Sequence, residues 1–177
     1  MAFSKSTVIV LKHFTAHPPA TADRWHMLPP CPHFCLMLFI LKALFPEDAD
    51  FIVTPQQRIP DDSESHIPDL VIEVVKLTQA ADVTFRTVLI VKIKNSQHWP
   101  RGIPALDRQV SRHTDAAFAG TAHSKVYWIG ALGPHWRYGI NEDGGQPPVP
   151  LIPWHDVTHD DASYADFQKL VSLVSAL

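Results

Sequence analysis

The order of apolar and polar positions along the chain predicts helices and strands in alternation. Apolar residues at helical spacing predict three helices, at 33–45, 103–119 and 164–177. Runs rich in β-branched and aromatic residues predict five strands, at 51–53, 68–76, 85–95, 125–131 and 136–140. This order predicts a single α/β domain over 33–177, with a mixed β-sheet core flanked by helices.

The clearest amphipathic helix is 103–119, where Pro104 suits the first turn and Gly120 the C-terminal stop. Its apolar stripe is formed by Ile103, Leu106, Val110 and Ala117. Gln109 flanks this stripe, whereas Arg108, Ser111 and Asp115 lie on the opposite side of the helix.

The strands at 68–76 and 85–95 are expected to form an antiparallel hairpin around a short turn at Ala81-Asp82. A pairing centred on this turn sets Asp69 opposite Lys94 at the open end of the hairpin. Lys92 lies one step further in, on the same face as Lys94, because side chains alternate between faces along a strand.

A carboxylate beside a lysine at strand ends is compatible with a metal ligand and a general base. The alternative is an ordinary cross-strand ion pair between Asp69 and Lys94, worth well under ~1 kcal/mol where it is exposed.

The segment Ile67-Pro68-Asp69-Leu-Val-Ile-Glu, followed by Val-Leu-Ile-Val-Lys92-Ile-Lys94-Asn95, resembles the PD-(D/E)xK phosphodiesterase (restriction-endonuclease-like) superfamily. The resemblance spans about 33–133 and implies a core in αβββαβ order. It also implies that Asp69 is a metal ligand, that Lys94 orients or deprotonates the attacking water, and that Gln109 helps to position the site. The implied cofactor is Mg²⁺ or Mn²⁺, which lowers the pKa of a bound water and offsets developing charge.

The chain departs from the family pattern at Lys92, where the motif has Asp or Glu. A lysine cannot ligate Mg²⁺, and one unit-charge pair at 4 Å is worth about 4 kcal/mol at an effective dielectric constant of 20. Three explanations remain open: loss of catalysis with the fold kept for binding, a variant or engineered residue, and a carboxylate that has migrated. Glu73 is the best migrated ligand, although it lies about 13 Å along the strand from Asp69, and Asp107 is a second candidate. We favour loss or alteration over migration.

The expected function is therefore a metal-dependent nuclease whose catalysis is impaired or lost because of Lys92. The alternative is a non-catalytic module on the same fold that binds nucleic acid or a protein. A third reading is an unrelated α/β domain whose hairpin carries an ordinary ion pair.

The charge of the chain is segregated, although the 177 residues carry a net charge of only −3. The stretch 86–112 holds six basic residues and one acidic residue, whereas 46–70 holds seven acidic residues and one basic residue. A basic strip with an aromatic residue suits phosphate contact and base stacking on DNA or RNA. The residues expected to bind nucleic acid are Trp99, Arg101, Arg108 and Arg112, with packing at the edge of the core as the alternative role of Trp99.

The two cysteines bear on an alternative metal site, and the apolar runs bear on the cellular compartment. Cys31 and Cys35 are interpreted as reduced thiols, with a zinc site that adds His26 and His33 as the alternative. The sequence shows no signal peptide and no apolar run of the about 20 residues that a membrane span needs, which predicts an intracellular protein of the cytoplasm or nucleus.

Two further regions are expected to lack regular secondary structure. Residues 1–32 are expected to form an irregular proline-rich segment, and the acidic, proline-rich stretch 141–161 is interpreted as a solvated loop, with a partner surface as the alternative. His155 and His159 within it are four residues apart, and a metal role there is the less favoured reading.

Overall fold

A computed structural model describes residues 32–58, 69–79, 83–118, 124–142 and 146–177. The described residues form three α-helices: α1 (Pro32–Leu44), α2 (Ile103–Phe118) and α3 (Asp161–Ser175). They form six strands: β1 (Phe51–Arg58), β2 (Asp69–Gln79), β3 (Val83–Lys94), β4 (Lys125–Leu132), β5 (His135–Glu142) and β6 (Val149–Pro150). Short 3₁₀ helices lie at Glu47–Ala49 and Ser96–His98. The predicted segment 1–31, the acidic loop 59–67 and the Ala81-Asp82 turn lie outside the described residues.

The six strands form one sheet in the order β1-β2-β3-β4-β5-β6. Every neighbouring pair is antiparallel except β3 and β4, which are parallel. A parallel pair needs a crossover connection, and α2 provides it. The predicted single α/β arrangement with a mixed sheet is thereby confirmed for the described residues.

The predicted register at the open end of the β2–β3 hairpin is confirmed. Leu70 pairs with Ile93, and Val71 pairs with Lys92. An irregularity between Val74 and Val75 then shifts the pairing by one residue. Such a β-bulge bends the strand locally but leaves the register at the open end unchanged.

Hydrophobic residues pack on both faces of the sheet. On one face, α1 and α3 cover a large core that includes Ile40, Val91, Ile129 and Phe167. On the other face, Leu106 and Val110 of α2 pack on Trp128 and Leu132 of β4. The predicted apolar stripe of α2 is confirmed, with Leu106 and Val110 fully buried and Ile103 and Ala117 partly buried.

Two strand assignments differ from the sequence prediction. β1 is longer than 51–53 and continues through Pro55, which is tolerated because β1 is an edge strand. The loop predicted over 141–161 contains the end of β5 and the two-residue strand β6. A two-residue strand that contains a proline has no periodic signal to detect.

Among the described residues, no helix combines the length and apolar character needed to cross a membrane.

Candidate active site and nucleic-acid interface

The α2-covered side of the sheet holds the predicted lysines of β3. Ile90 packs with Ala117 and Phe118 of α2, and Lys92 and Lys94 follow Ile90 at two-residue intervals. Because side chains alternate along a strand, all three point to this side. Glu73 of β2 pairs with Ile90 and shares the same side.

Lys92 is completely buried, with 0% of its surface exposed. Its backbone lies between Val71 of β2 and Gly130 of β4, in the middle of the sheet. The prediction that Lys92 belongs to a basic surface strip is therefore wrong. The helix α2 covers Lys92, so its charge is not available to a ligand at the surface.

Asp69 is the first residue of β2, and its backbone pairs with Arg58 of β1. The next residue along β2 pairs with Ile93, so Asp69 and Lys94 occupy the open end of the hairpin, as predicted. Lys94 is half-buried and ends β3. The side chain of Asp69 lies outside the described part of the chain.

Gln109 lies on α2, half-buried, between the buried residues Leu106 and Val110. Its Oε1 atom is shielded from solvent and accepts no hydrogen bond from any described residue. A buried amide oxygen without a donor is costly, by roughly 1–3 kcal/mol. Gln109 therefore lies at the interface between α2 and the sheet, and its role in positioning the site stays a prediction.

The described residues do not fit the Mg²⁺ or Mn²⁺ site that the resemblance implies. Within the described ranges, no three His, Cys, Asp or Glu side chains lie close enough together to hold a metal ion. The position of the second acidic ligand is occupied by Lys92, an ammonium group that has no lone pair to donate when it is charged. Glu73, the proposed migrated ligand, is half-buried two positions beyond Val71 on β2.

The basic surface is carried by Arg101, just before α2, and by two arginines within α2. Arg101, Arg108 and Arg112 are all exposed. Arg108 and Arg112 are four residues apart, so they lie one turn apart on the same outer face of the helix. Arg86 is another basic residue of the stretch 86–112. It donates hydrogen bonds to the carbonyl oxygens of Leu177 (2.9 Å) and Lys125 (3.3 Å). Burial lowers the pKa of Arg86.

Trp99 is half-buried and makes two ring contacts. It stacks on His135 with a centroid distance of 3.9 Å and an interplanar angle of 11°, and it meets Trp154 edge-on at 5.1 Å. It also packs beside the cluster formed by Leu106 and Trp128. One face of the Trp99 ring is therefore occupied by His135, which favours the packing role that the sequence left open.

Arg137, which was not predicted as a site residue, connects β5 to α2. Arg137 Nη2 lies 2.6 Å from Asp107 Oδ1, and its guanidinium lies 4.7 Å from the ring centre of Trp154 and 5.7 Å from that of Trp128. The alternation of β5 contains the signal, because His135 and Arg137 lie on the same face. Asp107 is engaged in this ion pair, which makes it a poor candidate for a migrated metal ligand.

His155 and His113 are packed against other residues of the fold. His155 Nε2 lies 2.8 Å from Asp166 Oδ2, and the His155 ring stacks on Trp136 at 5.0 Å. His113 is 7% exposed on α2, as expected for a core histidine. The alternative zinc site at Cys31, Cys35, His26 and His33 falls outside the described side chains.

Comparison with protein-family models, with curated proteins and with solved structures finds no match to this chain.

Proposed function

We propose that this chain is a PD-(D/E)xK-like, restriction-endonuclease-like domain in which Lys92 impairs or abolishes metal-dependent cleavage, and that it still binds nucleic acid. The observation that carries the proposal is the arrangement of elements around the hairpin. An antiparallel meander β1–β3, a helical crossover α2 and a parallel β4 surround Asp69 at the start of β2 and Lys94 at the end of β3. This order of elements supports the αβββαβ core that the proposal requires.

Impaired catalysis follows from the position and burial of Lys92. Its side chain is fully buried, at the position where the family motif has an acidic metal ligand. A lysine there removes one carboxylate from the metal site, and in its charged form it also repels a divalent ion.

Binding of nucleic acid is supported by the exposed arginines. Arg101 precedes α2, and Arg108 and Arg112 lie within it; all three are exposed and follow the strand that ends at Lys94. Guanidinium groups contact phosphate in a bidentate manner. Because phosphates carry no sequence information, we expect binding of DNA or RNA without strong sequence preference.

Cleavage is tested with a nuclease assay in Mg²⁺ and in Mn²⁺, on the chain as it stands and on Lys92→Glu. We expect little or no cleavage by the first and a gain of cleavage by the second. The gained activity should disappear in Lys92→Glu/Asp69→Ala. Folding of each variant is checked by circular dichroism, and a folded Lys92→Glu without cleavage in either metal contradicts a disabled nuclease.

Binding is tested with a short duplex and a single strand at about 50 mM and about 200 mM salt, a range over which phosphate-dominated binding weakens steeply. Arg108→Ala/Arg112→Ala should weaken binding and reduce the dependence on salt. Lys42→Ala is the matched control, because Lys42 is an exposed cation on α1, on the opposite face of the sheet. Equal effects of both variants, or no binding at the lower salt, contradict the proposed interface.

A further inference from the structure

A short proline-rich segment, Gln146–Pro150, lies exposed between β5 and α3. Gln146, Pro147, Val149 and Pro150 are exposed, whereas Pro148 between them is half-buried. A polyproline II helix has three residues per turn. With that period, residues 146 and 149 would share one edge, residues 147 and 150 a second, and the half-buried Pro148 the third. The exposure of the five residues matches this period, although Val149 and Pro150 also pair with β5.

The sequence of this segment favours an extended backbone. Proline fixes φ near −65°, and the residue before a proline is biased to extended conformations. Three of its five residues are prolines, and Gln146, Pro147 and Val149 each precede one. The segment is therefore biased towards the polyproline II conformation before any partner binds.

The fold holds the segment in place. Val149 pairs with Ile140 and Pro150 pairs with Gly139, and the Leu151 N–H donates a hydrogen bond to Tyr138 O at 2.9 Å. Val149 and Leu151 nevertheless remain 54% and 46% exposed. A ligand segment that is fixed before binding loses less conformational entropy when it binds.

A partner strand is a poor fit for this edge. Pro147, Pro148 and Pro150 have no N–H group, and strand addition depends on a row of main-chain donors and acceptors. What the segment does offer is proline rings, the Val149 side chain and main-chain carbonyls. Grooves lined by aromatic side chains recognise this combination.

The charge around the segment restricts the partner further. The sequence contains no lysine or arginine between Arg137 and Lys169. Glu142, before the segment in the chain, is exposed but paired with Lys125 at 3.1 Å, whereas the Asp156 side chain, after the segment, is 85% exposed and lies 3.2 Å from His135 Nδ1. An acidic groove would find no lysine or arginine in this stretch of the chain, whereas a neutral or basic groove needs none.

We propose that Gln146–Pro150 is a docking site for a domain of another protein, with an aromatic-lined groove for polyproline II segments and a neutral or basic rim. This inference does not depend on the nuclease-like assignment, because it uses neither Lys92 nor the arginines of α2.

The test uses the full chain and a panel of purified SH3, WW and EVH1 domains chosen to span acidic, neutral and basic groove rims. We expect measurable binding to domains with neutral or basic rims. Pro147→Ala/Pro150→Ala should weaken that binding at least about tenfold, as for contacts at the centre of an interface. Pro148→Ala is the matched control, because Pro148 faces the protein, and it should change the affinity less than about twofold.

Thermal unfolding of each variant shows whether the fold is kept. Three results would overturn the proposal: no domain of the panel binds, binding is confined to acidic grooves, or the double variant binds as well as the unmodified chain. Tighter binding by the double variant would indicate strand addition instead, because alanine restores the missing N–H groups.

Discussion

Lys92 of β3 lies directly beside Gly130 of β4 in the parallel part of the sheet. A Cβ atom at Gly130 would lie 3.0 Å from Leu106 Cδ2, so α2 approaches the sheet closely at this point. The same close approach buries Lys92. The close packing of α2 on the sheet therefore also excludes Lys92 from solvent. Substitutions at Gly130 and at Lys92 each test this arrangement.

Gly130→Ala should lower the free energy of unfolding by about 1 kcal/mol, because the added methyl group meets Leu106 Cδ2 at 3.0 Å and the leucine side chain has to shift. Leu106→Ala alone should also destabilise the protein, by opening a cavity. In Gly130→Ala/Leu106→Ala the two changes should partly compensate, so the double variant should lose less than the two single losses combined. Urea unfolding of the four proteins measures this coupling, and strictly additive losses would contradict the close contact.

Lys92→Ala should lower the free energy of unfolding by roughly 2–4 kcal/mol, because it removes a completely buried side chain and leaves a cavity. Lys94→Ala is the matched control two residues further along β3, where the side chain is half-buried. It should change the free energy of unfolding by less than ~1 kcal/mol. Similar losses in both variants, measured by urea unfolding, would indicate that Lys92 is not sealed from solvent.

Much of the fold follows from the sequence, because the helices and strands carry strong periodic signals. The hairpin register could be predicted because strand alternation and a short turn leave few pairings. The start of α3 could not be predicted from periodicity: the helix begins at Asp161 rather than at 164, because Asp160 Oδ1 accepts a hydrogen bond from Ser163 N at 2.8 Å. This capping signal is local and independent of the apolar stripe.

The site could be predicted only in part. The register brings Asp69 and Lys94 to one end of the hairpin, which strand geometry dictates. The burial of Lys92 depends on how closely α2 packs on Gly130, and a pattern of residue types does not fix that distance. The partners of Trp99 come from β5 and from the segment after β6, so these contacts are set by tertiary packing rather than by local sequence.

The ion pair between Arg137 and Asp107 should stabilise the contact between β5 and α2. Asp107→Ala should lower the free energy of unfolding by about 1–2 kcal/mol, because a charged hydrogen bond is lost and a guanidinium only 14% exposed is left without its carboxylate. The control is Glu142→Ala, which breaks the exposed Lys125–Glu142 pair (3.1 Å) and should cost less than ~1 kcal/mol. Equal losses in urea unfolding would show that the Arg137 pair behaves as an ordinary surface pair.

Asp166 should make part of the stability dependent on pH. Burial raises the pKa of the Asp166 carboxyl, but hydrogen bonds from Lys169 and His155 and the attraction of both charges outweigh burial and hold the pKa below its ordinary value. A carboxyl whose pKa is depressed on folding contributes stability above its pKa in the unfolded chain, about 3.9. That contribution is lost as the pH falls through the lower pKa of the folded state.

Asp166→Asn should therefore lower the free energy of unfolding at pH 6, and the difference from the unmodified chain should shrink as the pH falls below about 4. Urea unfolding at a series of pH values between about 2 and 6 measures this difference. Asp156→Asn serves as the control, because the Asp156 side chain is 85% exposed and its neutralisation should change the free energy of unfolding little at any of these pH values. A difference for Asp166→Asn that stays constant across the series would mean that the contacts of Asp166 with His155 and Lys169 do not depend on its ionisation.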